Sequence, residues 1–368
     1  MRNCILILLL TLVPMSVMAE VDDDSVEYAR ATTKRKPLPY RLLMGLKEFV
    51  DSSAVSGLDP LYVGQPKLPW SAELRTDINN SMLSMTAKDH DVEGIDSWNA
   101  STHSGPTVSI GAWAGYRGYG FGLSWAIGAA DNKSFSIGAT GGSYGVNLRI
   151  KRFRSHKPKV DMNGSDDYNW DNMDIEADDP IKARSLFLDA YYMFNRKRFS
   201  YAAAYDQSLQ QLRSAGSPVV GAMYYHTRVA FDNLSNFALQ VLLNDVGKIK
   251  FTQASVGAGY AYNWVPARGW LVSAMAVPML TYYNRMHVYT YDIDISEDMK
   301  DIRVVEKNHE RINNRVSWNF DTRLAISYQW QRYYVRAYSH YNQFRYRNKS
   351  DYGYTSDWTV YSAFGVRF

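Results

Sequence analysis

The chain has 368 residues, a net charge of +4 and 14% aromatic residues, among them 28 Tyr. The charge is small and mixed in sign along the chain, which excludes the basic footprint of a nucleic-acid-binding protein. Beyond the N-terminus, no apolar run approaches the length of a membrane-spanning helix, so a helical membrane protein is also excluded. A mean hydropathy of −0.35 still permits a membrane barrel, because only alternate residues of such a barrel face lipid.

The first residues, MRNCILILLLTLVPMSVMAEVDDD, have the layout of a secretory signal peptide. An apolar run precedes small residues at Val17 and Ala19, and an acidic stretch follows. We expect cleavage after Ala19, so that residues 1–19 are the signal peptide. The only cysteine, Cys4, would be removed with it, and the mature chain would contain no disulfide.

Residues 20–73 are a predicted periplasmic N-terminal segment. Leu42, Leu43, Leu46, Phe49 and Val50 recur at helical spacing, which predicts a short amphipathic helix. The segment could rest against the rim of a barrel, plug its lumen or act as a solvated linker.

Residues 74–368 repeatedly alternate apolar and polar side chains, as β-strands with two different faces do. Between Val316 and Trp330, Leu324 and Ile326 share one face and Arg323 belongs to the other. Such runs reach about ten residues, which a tilted strand needs to cross a bilayer, whereas strands of soluble sheets average five or six. The pattern predicts a transmembrane antiparallel up-and-down β-barrel, an all-β fold.

Short periplasmic turns and longer outer loops should alternate in this barrel. Counting back from Phe368 predicts both chain ends on the periplasmic side and about 14 strands, with 12 as the alternative. Two assignments decide the count: a strand at 236–243 and the division of 134–154 at Gly141 and Gly142. If both failed, the segment 155–182 would have to be periplasmic. The predicted strands are 74–86, 104–116, 118–127, 134–140, 145–154, 184–195, 198–207, 218–231, 236–243, 249–265, 269–290, 314–331, 333–348 and 356–368.

The chain ends in YSAFGVRF, an alternating strand that stops on an aromatic ring. The last strand of a barrel must pair with the first, because an unpaired edge within lipid is costly. We expect Phe364, Val366 and Phe368 to form a signal for the barrel assembly machinery. This machinery and outer-membrane lipid are the expected partners.

Charged residues within the strands are predicted to line the lumen. Both signs occur, so these residues could pair as a structural network or border a narrow polar path. The candidates are Arg149, Lys151, Asp189, Asp206, His226, Arg228, Asp321, Arg323, Arg336, His340 and Arg367.

An outer-membrane lipid hydrolase needs a His and a Ser that reach one scissile bond. His103 and Ser104 are adjacent, as are Ser339 and His340, and adjacent residues of a strand point to opposite faces. We therefore predict no catalytic residue, although a pair on neighbouring strands stays open.

The stretch 159–179 carries eight carboxylates in a predicted outer loop. Their spacing does not fit an EF-hand, so the prediction is a solvated loop, with calcium binding left open. No metal or other cofactor is predicted.

Three segments, DPLYVGQPKLPWSAELRTD (59–77), LRSAGSP (212–218) and VGAGYAYNW (256–264), resemble the family called domain of unknown function 4421. The resemblance covers most of the chain from about Asp59 onward. It implies an outer-membrane barrel of Gram-negative bacteria and carries over no catalytic residues.

Three classes of function stay open, in this order. The first is a barrel with a structural or scaffolding role, the second a narrow polar channel or transport accessory, and the third a barrel lipid hydrolase. We expect a protein without enzymatic activity, exported through its signal peptide to the cell outer membrane.

Overall fold

The computed structural model describes residues 57–87, 95–103, 106–127, 133–155, 159–164, 170–174, 179–237, 240, 245–295, 302–314, 316–347 and 352–368. The predicted signal peptide and amphipathic helix lie outside these residues. In the described part of the chain, no helix is long and apolar enough to cross a membrane.

The strands of the main sheet form a closed antiparallel ring of 12, with further strands attached. The ring closes where the last strand pairs with the first, from Arg367 opposite Ser71 to Tyr352 opposite Thr86. Two short strands outside the ring, β1 (Val63–Gly64) and β11 (Gln210–Gln211), pair with each other. In chain order the ring consists of β2 (Trp70–Ala87), β4 (Thr107–Tyr116), β5 (Tyr119–Ala126), β6 (Lys133–Thr140), β7 (Tyr144–Ser155), β10 (Ile181–Met193), β12 (Ala215–Ala230), β13 (Val246–Trp264), β14 (Trp270–Ile295), β16 (Ser317–Trp330), β17 (Tyr333–Arg347) and β18 (Tyr352–Arg367).

The count of about 14 strands is wrong, and the alternative count of 12 is correct. The segment predicted as strand 198–207 contains helix α1 (Tyr201–Tyr205). The described residues of 236–243 contain no strand and follow a 3-10 turn at Leu234–Asn236. The division at Gly141 and Gly142 is correct, since β6 and β7 pair across it. The two predicted strands that the structure does not contain, 198–207 and 236–243, come directly before and after β12 in the chain. Their loss reverses the predicted direction of β12 alone. The segment 155–182 therefore stays at the end of the barrel where it was predicted.

Four further strands extend the ring beyond one of its ends. β3 (Ile95–His103) pairs with β2, β8 (Lys159–Gly164) with β3, and β9 (Trp170–Asp174) with β8. β15 (Ile302–Asn313) pairs with the far half of β14. Strands therefore occur in the predicted outer loop 159–179 and in the connection between the predicted strands 269–290 and 314–331. Because these strands have polar residues on both faces, they show no alternation of apolar and polar side chains.

The two ends of the ring differ in their connections. Tight turns such as Arg117–Gly118 and Gln331–Arg332 join strands at one end, here called the turn end. Longer connections and the extra strands mark the opposite end, here called the loop end. Both the entry to β2 and the exit from β18 are at the turn end, where Trp70 and Phe368 exchange backbone hydrogen bonds.

The wall of the ring is apolar outside and polar inside. On β16, Trp318 is 67% exposed and Leu324 is 56% exposed, whereas Asp321 and Arg323 are 0% and 6% exposed. A soluble sheet protein buries its apolar face and exposes its charges, so this arrangement is the reverse. An apolar outer face around a closed ring is typical of a membrane barrel. Closure of the ring also pairs the backbone of every strand, so that no unpaired backbone group faces lipid. The chain has an outer-membrane β-barrel fold.

Candidate functional site in the packed barrel interior

The connection between β10 and β12 folds back into the ring from the turn end. Its buried part, residues 199–209, is called the plug. Helix α1 lies within it, and Ser200 caps the helix by accepting a hydrogen bond at Oγ from the backbone N–H of Ala203 (3.1 Å). Three alanines in a row keep this helix narrow, and Ala202 and Ala203 are completely buried.

The plug forms hydrogen bonds with strands from opposite parts of the ring. Tyr201 receives hydrogen bonds at its hydroxyl from Asn147 on β7 (3.3 Å) and from Arg323 on β16. Arg336 on β17 donates to the carbonyl of Tyr205. On the same side, Arg367 on β18 donates to the carbonyl of Gln207 (2.6 Å). Across the ring, Asn263 on β13 donates to the carbonyl of Ser200 (2.9 Å). Contacts with so many strands require that the plug lies inside the ring.

The three segments that carry the resemblance meet at the base of the plug. In the first, Val63 pairs with Gln211, which precedes the second segment. The backbone N–H of Leu212, which opens the second segment, donates to the carbonyl of Tyr62 (2.7 Å). In the third, the side-chain amide of Asn263 donates to Oε1 of Gln211 (3.0 Å). Residues from all three segments therefore lie together beside Gln211, at the base of the plug.

Two buried carboxylates organise the ion pairs above the plug. Asp189 accepts from Arg323 (2.8 Å), from Arg149 (3.2 Å) and from the side-chain amide of Asn147 (2.7 Å). Asp321 contacts His340 Nε2 (2.7 Å) and accepts from the hydroxyl of Tyr191 (2.9 Å). Arg323 links the two groups, since its Nε lies 3.5 Å from Asp321. Buried charges need such partners, because desolvation of an unpaired charge costs several kcal/mol.

A second group of ion pairs lies toward the turn end. Glu73 on β2 accepts from Arg336 (2.7 Å), from Arg75 (2.7 Å) and from the hydroxyl of Tyr334 (2.8 Å). Because Arg336 also donates to Tyr205, this carboxylate is coupled to the plug through a single guanidinium.

A third group connects β7 with β18. Lys151 donates to Asp357 (2.7 Å) and to the hydroxyl of Thr359 (2.9 Å). Ser81 on β2 donates to the second oxygen of Asp357 (2.7 Å). Together the three groups connect strands on opposite sides of the ring through its centre.

Acidic and basic side chains are equally numerous among the described residues of the interior. With Lys248 at the loop-end rim set aside, six carboxylates and six lysines and arginines are buried, and the ion pairs involve the carboxylates of Glu73, Asp189, Asp321 and Asp357. A lumen without an excess of either sign has the composition of a paired network rather than of an ion-selective path. The carboxylates are Glu73, Asp77, Asp189, Asp206, Asp321 and Asp357, and the cations are Arg75, Arg149, Lys151, Arg323, Arg336 and Arg367.

Aromatic and thioether side chains fill the interior on the loop-end side of the Asp189 ion pairs. Tyr225 stacks on Phe344 with ring centroids 4.2 Å apart, and Phe187 lies 4.7 Å from Tyr225. Met223 and Met286 belong to the same buried cluster. Unbranched thioether side chains fill irregular gaps, so the lumen is also packed on the loop-end side of these ion pairs.

The remaining side of the lumen is occupied by Trp113 on β4. A Cβ at Gly120 or Gly122 would lie 2.7 or 2.8 Å from its ring atoms, so these glycines make room for the indole. The Arg75 guanidinium lies over the ring at 4.2 Å. A cavity of about 50 Å³ lies beside Trp113, Tyr201 and His340, with room for a few water molecules.

The sequence profile of the family described as Domain of unknown function (DUF4421) matches residues 62–368. The chain belongs to this family. The resemblance of the three segments is thereby confirmed. The match begins at Tyr62, beside β1, so it includes the contacts at the base of the plug.

Solved structures with similar folds are also outer-membrane barrels, and comparison with curated proteins gives no match. The structures named below share at most 11% sequence identity with this chain and have TM-scores below 0.5, so they give no information on the activity of this protein. The similar structures include the outer membrane protease OmpT from Escherichia coli (TM-score 0.37, 6% identity, 82% of this chain and 97% of that chain), the beta domain of the Bordetella autotransporter Brka (0.32, 11%, 82% and 100%) and the outer membrane protein OprG from Pseudomonas aeruginosa (0.25, 11%, 83% and 98%).

In this DUF4421 protein, most of the predicted lumen residues are buried in the interior, although Asp206 belongs to the plug and not to a strand. His226 and Arg228 do not face the lumen. They share the outward side of β12 with Tyr224, which is 39% exposed, and Arg228 is exposed as well. Parity along the strand decides the face, and charges near a strand end can stand outside beyond the apolar belt. The buried residues are Arg149, Lys151, Asp189, Asp206, Asp321, Arg323, Arg336, His340 and Arg367.

Several members of the interior network are absent from the predicted lumen residues. Glu73 lies one residue before the predicted strand 74–86, whereas β2 begins at Trp70. Alternation continued back to Trp70 would have found it. Arg75 and Asp357 lie within predicted strands and are buried, but the set of predicted lumen residues does not include them.

Ser339 and His340 do not assemble a hydrolytic site. The His340 ring is buried and held by Asp321 and Arg149, while Ser339 lies on the other face of β17. The side chains of His103 and Ser104 lie outside the described residues. No group of three or more metal-ligating side chains occurs in the part of the chain that the structure describes.

Burial changes the ionisation of groups in the plug. It raises the pKa of Tyr205 to about 12, and it also raises the pKa of the Tyr201 phenol. Burial raises the pKa of the Asp206 carboxyl, although the backbone N–H of Ser208 donates to it (3.0 Å). These shifts favour the uncharged forms, as expected where packing withdraws water.

Proposed function

We propose that this protein is a closed outer-membrane β-barrel with a structural or scaffolding role. The observation that carries the proposal is the filled interior, in which the plug, the ion pairs and the aromatic cluster of the described residues pack around a cavity of about 50 Å³. An open porin needs a continuous water-filled path, and this packing supports the opposite. The wall would then serve to hold the loop-end strands at the membrane surface.

Export through the predicted signal peptide and residence in the outer membrane belong to this proposal. Lipid contacts the outward face, and the barrel assembly machinery inserts the chain. The hydrogen bonds that close the ring support a role for the C-terminus, since Trp70 donates to Phe368 (3.2 Å) and Phe368 donates to Trp70 (3.1 Å). Phe364 and Phe368 expose their rings on the outward face.

We further propose that the protein has no enzymatic activity. The support is geometric: Asp321 and Arg149 hold the ring nitrogens of His340 within the packed interior. A general base must reach the proton that it removes, and this histidine has no nucleophile beside it within the described residues.

Planar-bilayer recording of the refolded barrel tests the closed interior. The unaltered protein should give no steady open steps. A variant in which a short Gly-Asn turn replaces residues 196–213 and alanine replaces Phe187, Tyr225 and Phe344 lacks both the plug and the aromatic cluster and should conduct. Both proteins must first migrate differently before and after boiling on a detergent gel, which shows that a barrel has formed. Steady steps from the unaltered protein would overturn the proposal and favour the narrow polar channel.

A further inference from the structure

Outward-facing cations near the loop end form a compact group on four neighbouring strands of the ring. All of them are exposed, and together they border a groove of about 390 Å³. The group, called the cationic patch, consists of Lys133, Arg152, Arg154, Lys182, Arg184 and Arg228.

Strand register places these cations directly opposite one another. Lys133 faces Arg152, Arg152 faces Arg184, and Arg184 faces Arg228, so one row crosses β6, β7, β10 and β12. The row continues on β13, where Lys250 faces Arg228. Like charges directly opposite each other on a sheet destabilise it. An anion that contacts several of these cations at once would relieve the repulsion between them.

The described residues that line the groove supply little negative charge. In the described residues, the side chains of Arg152, Arg184 and Arg228 form no ion pair. Asp232 is the one carboxylate that lines the groove, and it is already engaged by Lys248 (3.8 Å) and by the hydroxyl of Tyr291 (3.1 Å). Arg152, Arg184 and Arg228 thus stand side by side on the outward face with no ion-pair partner among the described residues, which leaves their guanidinium groups available to an anion.

An apolar row lies immediately beside the cations, toward the turn end. On this outward face Phe135 pairs with Ile150, and Ile150 pairs with Leu186. These side chains stand two residues further along the same strands, which is about 7 Å away. A ligand that contacts both rows needs an anionic headgroup joined to an apolar tail. The headgroup would lie on the cations, and the tail would extend from it toward the turn end.

We propose that the cationic patch binds the phosphate headgroup of an anionic lipid, whose acyl chains lie on the adjacent apolar row. Arginine suits this ligand, because its planar guanidinium donates two parallel hydrogen bonds to phosphate oxygens. The patch thereby fixes the depth of the barrel in the leaflet at the loop end. The proposal requires a membrane barrel but no particular state of the lumen, so the conductance result does not bear on it.

Lipid titration of the detergent-solubilised full barrel, followed by native mass spectrometry, tests the proposal. Dioctanoyl phosphatidic acid should bind at least about tenfold more tightly than dioctanoyl phosphatidylcholine. The double variant R152Q/R184Q should lose about 30-fold in affinity for phosphatidic acid, from the contribution of a cation near an anionic lipid surface. The matched control R268Q/R332Q removes the same charge from exposed turn-end positions and should bind as the unaltered protein does.

Several results would overturn the proposal. Equal affinity for the two lipids, or an equal loss in the control variant, would overturn the patch as a specific site. Competition by inorganic phosphate at the same concentration as the lipid would show an anion site without a lipid, and would also overturn the proposal. If R152Q/R184Q does not give a heat-modifiable barrel, the single variant R228Q replaces it, with an expected loss of about fivefold. An unchanged affinity of R228Q would then reject the proposal.

Discussion

The two faces of β16 show opposite relations between polarity and burial. Leu324 is 56% exposed, and its neighbour Arg323 is 6% exposed and contacts Asp189, Asp321 and Tyr201. Outside, stability depends on the match between apolar side chains and lipid. Inside, it depends on the pairing of charges. The same substitution should therefore have different effects on the two faces.

The largest effect is expected from a broken ion pair in the interior. Asp189→Asn leaves Arg149 and Arg323 without their shared carboxylate, and loss of one partner of a buried pair costs about 3–5 kcal/mol. The free energy of unfolding, measured by urea titration in lipid vesicles, should fall by this amount. Asp292→Asn is the control, because Asp292 is exposed and 3.7 Å from Lys307, and a surface pair contributes about 0–1 kcal/mol. Similar losses from both would contradict a charge-paired core.

A charge placed on the outward face should have the next largest effect. Leu324→Arg should lower the free energy of unfolding by about 2–4 kcal/mol if the residue lies near the bilayer midplane. Val305→Arg is the matched change on β15, outside the ring, and Val305 is also exposed. It should leave stability nearly unchanged in the same titration. A tolerated arginine at 324 would mean that the outward face does not contact lipid.

The plug should contribute less per contact. Tyr201→Phe removes the hydroxyl that receives hydrogen bonds from Arg323 and Asn147, and should cost about 1–2 kcal/mol. Tyr192→Phe is the control on the outward face of β10, where Tyr192 is 42% exposed. Its stability should match that of the unaltered protein. If the two variants unfold alike, the plug is not held through Tyr201.

The smallest change in stability is expected at the C-terminus. Deletion of Phe368 removes one pair of backbone hydrogen bonds with Trp70, at a cost of about 1 kcal/mol. The amount of folded barrel in the outer membrane should nevertheless fall, because the assembly signal loses its terminal ring. Phe368→Tyr retains a ring and should assemble as the unaltered chain does. Undiminished outer-membrane levels in fractionated cells carrying the deletion would refute the assembly-signal proposal.

Most of the ring could be predicted from alternation alone, because lipid on one side and a packed lumen on the other impose a strict two-residue period. The plug could not. Phe199, Tyr201, Ala203 and Tyr205 alternate with Ser200 and small alanines, which resembles a strand when the surroundings are unknown. The segment is a helix because it lies within the lumen, where it must satisfy its backbone hydrogen bonds locally.

The interior network was only partly accessible from the sequence. Charge within a strand identified Asp189 and Arg323, but Arg228 shows that charge alone does not determine the face. The partners of each group could not be predicted, since Glu73 and Arg336 are far apart in the chain and meet only when the ring closes. Pairing across a lumen depends on the three-dimensional register of several strands.

A cysteine scan along β16 tests the central claim, an apolar outside and a packed polar inside, most directly. The only cysteine lies in the predicted signal peptide, so single cysteines can be introduced into the mature chain at Trp318, Phe320, Leu324 and Ile326 outside and at Ala325 and Ser327 inside. A fluorophore on each outward position of the vesicle-inserted barrel should be quenched by nitroxide-labelled lipid, and the two inward positions should resist labelling. Quenching without this two-residue period would contradict the account.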